Sequence, residues 1–127
     1  MLDPKVREVL DGTSIAHLAT ILPDGSPHAV PVWVGARGEQ VVFITGPGSR
    51  KARNLHRDPR VALSIAPADD PFTPVAIRGR VVDWIDGDAG WEIVDQLSMK
   101  YLGAPYPREQ ERVVAVVEPE RLIVGVR

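Results

Sequence analysis

The segment from Gly46 to Leu55 carries the clearest pattern for chemistry in the sequence. It reads Gly-Pro-Gly-Ser-Arg-Lys-Ala-Arg-Asn-Leu, so a glycine loop leads to a serine and then to two adjacent cations. We expect Ser49 to cap a helix whose first turn holds Arg50 and Lys51. A helix N-terminus presents free backbone N–H groups and the positive end of its dipole, so this arrangement predicts a site for a phosphate or carboxylate.

The alternative for this segment is a short capped surface helix with a solvated basic face, and the residue chemistry favours the two about equally. The segment is not a P-loop, because the Gly-x4-Gly-Lys-Ser/Thr spacing is absent. Five of the fifteen Lys and Arg residues lie between Arg50 and Arg60, whereas the whole chain has a net charge of -2. An anionic ligand is therefore expected at this segment, and the overall charge does not indicate a nucleic acid.

Other catalytic and metal-binding patterns are missing from the sequence. The chain has no cysteine, which excludes disulfides and thiolate chemistry. His17, His28 and His56 lack the spacing and the carboxylate neighbours of a metal site, and His17 is expected to pack within an apolar strand. No serine lies in a Gly-x-Ser-x-Gly elbow. We therefore predict neither a metal nor a hydrolytic triad.

Several aromatic and basic residues outside this segment have two possible roles. Trp33 and Phe43, on neighbouring predicted strands, are candidates for lining a pocket for a planar ring, although strand aromatics usually belong to the core. Phe72 follows Asp-Asp-Pro in a polar loop, where a ligand, another subunit or its own barrel must cover it. Arg78 and Arg80 share one face of a strand, and we favour a solvated face over contact with an acidic substrate.

The elements that position these residues are mostly short strands. Asp3 and Pro4 begin a first helix that ends at Gly12. The remaining predicted helices are 49–57 and 87–102, and the predicted strands are 14–22, 28–34, 41–45, 61–65, 75–85, 113–117 and 122–126. Turns are predicted at 23–26, at 35–38 and, in a closing hairpin, at 118–120. Pro31 places the second strand at an edge or a bulge.

The composition and the order of elements define the class of protein. A chain of 127 residues with 44% hydrophobic residues is expected to form one domain, over residues 1–127. Strands clustered as hairpins with inserted helices predict an α+β fold with a mostly antiparallel barrel of six or seven strands and two or three helices. No apolar run is long enough for a membrane span and no signal-peptide pattern occurs, so we expect a cytoplasmic protein without a membrane partner.

These segments together resemble the pyridoxamine 5'-phosphate oxidase-like split β-barrels, and more narrowly their branch that depends on the deazaflavin coenzyme F420. The resemblance extends in order over most of the chain. The segments that carry it are Ile15–Thr20, Pro23–Pro27, Val30–Trp33, Val41–Thr45, Ser49–Leu55, Arg57–Val61, Ala68–Phe72, Ile77–Val81 and Val116–Leu122. It implies a single flavin- or deazaflavin-binding domain and a homodimer with two cofactors in grooves at the subunit interface.

The resemblance also implies which residues bind the cofactor. The residues that would hold its phosphate are Ser49, Arg50, Lys51 and Asn54. The residues that would border its tricyclic ring are Val32, Trp33, Ile44 and Thr45. Phe72 would come from the partner subunit.

Three features favour F420 over FMN as the implied cofactor. The Lys-x-Arg-Asn-Leu run has the form found in the F420 branch, and Arg50 and Arg53 can attract an anionic polyglutamate tail. The chain also lacks the C-terminal substrate segment, rich in Arg and His, of true pyridoxamine phosphate oxidases.

The implied reaction is hydride transfer from reduced F420 to a small acceptor, such as a conjugated alkene, an imine, a quinone or a tetrapyrrole. No side chain is assigned as catalytic. The alternatives are an FMN-dependent oxidase or flavin reductase of the same fold, and a non-catalytic split barrel that binds cofactor or haem.

Lys51 is the residue most strongly expected to bind the cofactor. We predict that Lys51→Ala weakens cofactor binding, and Arg112, far along the chain, is expected to serve as a remote control.

Overall fold

The computed structural model describes residues 2–125 and contains three helices and seven strands. The helices are α1 (Pro4–Asp11), α2 (Arg50–Arg57) and α3 (Gly87–Leu102). The strands are β1 (Ala16–Ile21), β2 (Pro27–Val32), β3 (Val34–Arg37), β4 (Gln40–Thr45), β5 (Arg60–Ile65), β6 (Val75–Ile85) and β7 (Val113–Val124). The predicted α+β class and numbers of elements are confirmed. No helix within residues 2–125 is long and apolar enough to cross a membrane.

All seven strands belong to one antiparallel sheet, in the order β2-β1-β5-β6-β7-β4-β3. Trp33 alone separates β2 from β3, although these strands lie at opposite edges of the sheet. Val32 and Val34 are at most about 7 Å apart, since each residue extends the chain by no more than about 3.6 Å. The sheet must therefore curl until its two edges meet, and the barrel is split where β2 and β3 are not paired. Pro31 lies on edge strand β2, as predicted.

Two strands, β4 and β7, are covered on both faces. Phe43 and Val41 point into the barrel, where they pack in its main hydrophobic cluster. Val42 points the other way and packs against Val94 and Leu97 of α3 in a second cluster. This double burial explains the continuous apolar runs 41–44 and 113–117 of the two strands. Phe43 is fully buried, so of its two possible roles the core one is correct.

The predicted turn at 35–38 is wrong in position. Residues 34–37 form β3, and the chain turns at Gly38 and Glu39 instead. Gly35 is a packing residue, because a Cβ at this position would lie 2.8 Å from Cδ2 of Leu97. Gly38 is the turn residue, with a left-handed φ of 62° that favours glycine.

The predicted closing hairpin is also wrong. Residues 113–124 form one continuous strand, and the pairing of β7 with β6 shifts register where Gly79 lies opposite Pro119. The Glu118-Pro119-Glu120 segment is therefore a bulge rather than a turn, and a bulge tolerates a proline that donates no hydrogen bond. Val126, at the end of the predicted hairpin, lies outside the described residues.

Candidate functional site

A cavity of about 860 Å³ opens where β2, β4 and α2 meet the segment between α3 and β7. Its wall has three parts. Ile15, Pro31, Val32, Trp33 and Ile44 form the apolar part. Residues 45–49 and Lys51 form the loop and helix part. Tyr106, Gln110, Glu111 and Arg112 form the third part.

The start of α2 has the predicted cap. Ser49 Oγ accepts a hydrogen bond from the backbone N–H of Ala52 at 3.1 Å, and it lies 2.7 Å from Thr45 Oγ1. Thr45 itself is buried. The two hydroxyl groups therefore fix the glycine loop against the first turn of α2, whose other free N–H groups remain available to an anion.

Two cations approach this end of the cavity. Lys51 is half-buried, and its pKa is lowered mainly by burial and further by the positive charge of Arg112. Neither side chain forms an ion pair with any acid among residues 2–125. Two neighbouring cations without an acidic partner repel each other, and an anion between them would relieve that repulsion.

Arg112 is held in place by its own neighbours. Its Nε donates to Tyr106 Oη at 3.2 Å, and its Nη2 donates to Gln110 Oε1 at 3.1 Å. A Cβ at Gly46 would lie 3.4 Å from Arg112 Nη1, so the guanidinium passes close over the glycine loop. The expectation that Arg112 is remote from Lys51 is wrong. Thr45 pairs with Val113, and this register brings Arg112 beside Gly46.

Tyr101 of α3 packs behind the aromatic wall of the cavity and supports it. The ring of Trp33 stacks on Tyr101 at 5.1 Å with an interplanar angle of 5°. Tyr101 Oη donates to the Ser14 carbonyl at 2.8 Å and accepts from the Val34 N–H at 3.2 Å. These bonds tie the segment before β1 to the first residue of β3, so Tyr101 is fixed and Trp33 has a fixed surface to offer to a planar ligand.

Lys100 fixes the end of α3 in the same region through further hydrogen bonds. Its Nζ donates to the carbonyls of Leu10 at 2.7 Å and of Val34 at 2.6 Å. Partial burial lowers the pKa of Lys100 to about 8. The side chain thus joins the end of α1, strand β3 and the end of α3 at one point.

Six of the nine predicted site residues line the cavity, and three do not. The six are Val32, Trp33, Ile44, Thr45, Ser49 and Lys51. Arg50 is exposed in the first turn of α2. Asn54 is fully buried and its Nδ2 donates to Thr20 Oγ1 at 3.0 Å. Phe72 is 84% exposed in the loop after β5. The binding role of all nine remains a prediction.

The histidines do not converge on this cavity. His17 is exposed rather than packed, because the face of β1 that carries it points away from the barrel interior. The ring of His56 stacks on Trp84 at 4.5 Å. No three His, Asp or Glu side chains in the part of the chain described are grouped as metal ligands.

The cavity combines the two surfaces that a flavin-type cofactor requires. Its aromatic and aliphatic wall suits a planar ring system, and its cationic end suits a phosphate. The sequence missed Tyr106, Gln110, Glu111 and Arg112. Their positions depend on the pairing of β4 with β7, and no local pattern indicates that pairing.

Comparisons with known proteins identify the family of the chain. The sequence from residue 2 to residue 124 matches the family pyridoxamine 5'-phosphate oxidase. Among curated proteins, none matches significantly.

Among solved structures, the chain is similar to an F420 reductase, with a TM-score of 0.84 and 29% identity over 96% of this chain and 98% of that one. It is also similar to the conserved hypothetical protein Rv2991 from Mycobacterium tuberculosis, with a TM-score of 0.81 and 26% identity over 98% of this chain and 84% of that one.

A more distant structure shares the fold. A putative pyridoxamine 5'-phosphate oxidase from Listeria innocua aligns with a TM-score of 0.74 and 21% identity over 94% of each chain. Split barrels of this family bind flavin-type cofactors. The family match covers residues 2–124 and the split barrel is shared with these structures, so the chain belongs to the pyridoxamine 5'-phosphate oxidase family.

Proposed function

We propose that this protein is a reductase that uses coenzyme F420. The observation that carries the proposal is the pair of cations, Lys51 and Arg112, in a cavity that the ring of Trp33 also lines. The similarity to an F420 reductase over 96% of this chain supports F420 in particular. Reduced F420 supplies a hydride at its C5 position, so the acceptor is a small conjugated alkene, imine, quinone or tetrapyrrole.

In this proposal the residues of the chain bind the cofactor and orient it. Lys51 and Arg112 hold the phosphate, together with the backbone N–H groups at the start of α2. Trp33 and Ile44 pack against the ring system. Arg50 and Arg53 are exposed on α2 and attract the carboxylates of the tail. We assign no side chain as a proton donor, since solvent supplies the proton.

The protein is a homodimer in this proposal, and the partner completes the cavity. The cavity is open to solvent, and Phe72 projects from its loop with 84% of its surface exposed. An exposed phenylalanine of this kind is a suitable group to cover the ring system bound by a second copy of the chain.

The test is a fluorescence titration of the purified protein with F420 and with FMN, each at low and high salt. We expect F420 to bind more tightly than FMN, and we expect salt to weaken the binding because several cations meet an anionic ligand. Oxidation of reduced F420 is then followed by absorbance with a conjugated alkene, an imine, a quinone and a tetrapyrrole as separate acceptors.

Three outcomes would contradict the proposal. Tight binding of FMN with negligible binding of F420 assigns the protein to FMN-dependent oxidases or flavin reductases. Stoichiometric binding of haem and of neither cofactor assigns it to haem-binding split barrels. Tight binding of F420 without turnover of any acceptor class makes it a carrier rather than an enzyme.

A further inference from the structure

Residues 103–112, here called the cavity loop, join α3 to β7 and contribute Tyr106, Gln110, Glu111 and Arg112 to the cavity. Residues 104–112 form no helix or strand, and their backbone is organised only by a turn at Arg108 and Glu109. The loop therefore depends on side chains to hold its conformation.

Asp95 of α3 is the main anchor of the cavity loop. Its Oδ1 accepts from the Tyr106 N–H at 3.0 Å and from Arg108 Nη1 at 2.8 Å, and its Oδ2 accepts from Arg108 Nη2 at 2.7 Å. Arg108 Nη1 also donates to the Tyr106 carbonyl at 2.8 Å. The Arg108 guanidinium lies 4.0 Å from the ring centre of Trp91, which holds the pair against the helix. A bidentate pair of this kind fixes the orientation of the Arg108 guanidinium relative to the Asp95 carboxylate as well as the distance between them.

Tyr106 connects this anchor to the cavity. Its hydroxyl accepts from Arg112 Nε at 3.2 Å, and the Arg112 guanidinium lies 5.5 Å from its ring centre. Its ring also makes a T-shaped contact with the ring of Trp33, with the ring centres 6.0 Å apart. A shift of Tyr106 therefore moves the guanidinium of Arg112, although Asp95 itself does not line the cavity.

We propose that Asp95 is a positioning residue, which places Arg112 through Tyr106 so that its guanidinium meets the anionic group of the ligand. The proposal rests on the proposed function, since it assumes that the ligand carries a phosphate beside Lys51 and Arg112. Asp95 and Arg108 then set the affinity for that phosphate without contacting it.

The first experiment compares two ligands that share a ring system. The protein is titrated with F420 and with its chromophore that lacks the phosphate and tail. We expect Asp95→Ala to weaken F420 binding about five- to twentyfold and to change binding of the phosphate-free chromophore less than about twofold. Glu92→Ala is the matched control, because Glu92 is an exposed acid one turn earlier on α3.

A double variant tests whether Asp95 acts through Arg112. Asp95→Ala combined with Arg112→Ala should bind F420 no more weakly than Arg112→Ala alone. Additive losses, or equal losses for both ligands, would show that Asp95 has only a general structural role and would overturn the proposal.

A measurement without ligand separates this proposal from the proposed function. The rate of trypsin cleavage after Arg108 and after Arg112 is measured at a temperature well below the thermal midpoint of unfolding. We expect faster cleavage at both sites in Asp95→Ala and parental rates in Glu92→Ala. Equal rates in Asp95→Ala and the parent overturn the positioning role, whether or not F420 binds. A parent that binds neither F420 nor FMN defeats the proposed function, and the cleavage rates then decide the role of Asp95 alone.

Discussion

At the scale of single residues, Lys51 and Arg112 differ in how they reach the cavity. Lys51 follows the Ser49 cap by two positions, so a local pattern predicts its place in the first turn of a helix. Arg112 reaches the same place because Thr45 pairs with Val113, a register that no short stretch of sequence specifies. For this reason the sequence predicts half of the cationic pair and misses the other half.

We predict that Lys51→Ala and Arg112→Ala each weaken F420 binding about ten- to a hundredfold, because a charge-assisted contact to phosphate is worth about 1.5–3 kcal/mol. Lys51→Ala should not lose thermal stability. Lys51 lies near the positive end of the α2 dipole, so its removal stabilises the protein by a few tenths of a kcal/mol at most. Fluorescence titration and thermal unfolding measure the two effects.

Arg121→Ala is the matched control for this pair. Arg121 is an exposed arginine on the same strand as Val113, and it lies outside the cavity. Its variant should bind F420 like the parent. Parental affinity in Lys51→Ala would place the phosphate elsewhere.

At the scale of elements, the sequence predicts helices and hairpins whose ends are marked by neighbouring residues. It does not predict bulges or other departures from regular strand pairing. Asp3, Pro4 and Ser49 act at helix ends through neighbouring residues, so the sequence locates α1 and α2. Gly35 and Pro119 carry the usual signals of a turn, but one packs against α3 and the other lies at a bulge. Only the neighbouring strand or helix decides which role such a residue takes.

The bulge in β7 leads to a prediction about Gly79. A Cβ at this position would lie 2.3 Å from the Glu118 carbonyl oxygen, and a backbone atom cannot move aside as a flexible side chain can. We expect Gly79→Ala to lower the free energy of unfolding by at least about 2 kcal/mol, measured by urea denaturation. Gly48→Ala is the control, because no atom lies within 4 Å of a Cβ there. Equal midpoints for the two variants would contradict this.

Acid pH should weaken the attachment of loops to their elements. Hydrogen bonds from Arg108 and from the Tyr106 N–H lower the pKa of Asp95 from 3.8 to about 2 in the folded protein. Bonds from Arg60 lower the pKa of Asp58 to about 2 in the same way. A lowered folded pKa stabilises the protein above the ordinary pKa, and this contribution is lost as the pH falls from about 4 to about 2.

The measurement is the thermal midpoint as a function of pH for the parent and for Asp95→Asn. The midpoint of the parent should fall more steeply over this acid range, because the variant has no carboxylate at that position to protonate. Parallel curves for the two proteins would show that the Asp95 pair does not contribute to stability.

At the scale of the whole molecule, the order of strands and helices predicts the fold class but does not predict the oligomeric state. The structure leaves the side chain of Phe72 84% exposed, which favours its burial against a second copy of the chain. We expect light scattering at micromolar concentration to give twice the chain mass of 13.9 kDa. Phe72→Ser should weaken both the dimer and F420 binding, whereas Leu102→Ser, outside the cavity and its loop, should affect neither. A monomeric parent protein would contradict the dimer.

The single residue between β2 and β3 also has a consequence for how the chain folds. The β1–β2 and β3–β4 hairpins each pair strands that are neighbours in sequence, and only Trp33 separates the two hairpins. Strands β4 and β7 pair although they lie far apart in the sequence. Local pairs form faster than distant ones, so the β1–β2 and β3–β4 hairpins should gain amide protection during refolding before the pairing of β4 with β7 does. Until β7 arrives, β4 has an unpaired edge, and this edge is where a second unfolded chain would pair and start aggregation.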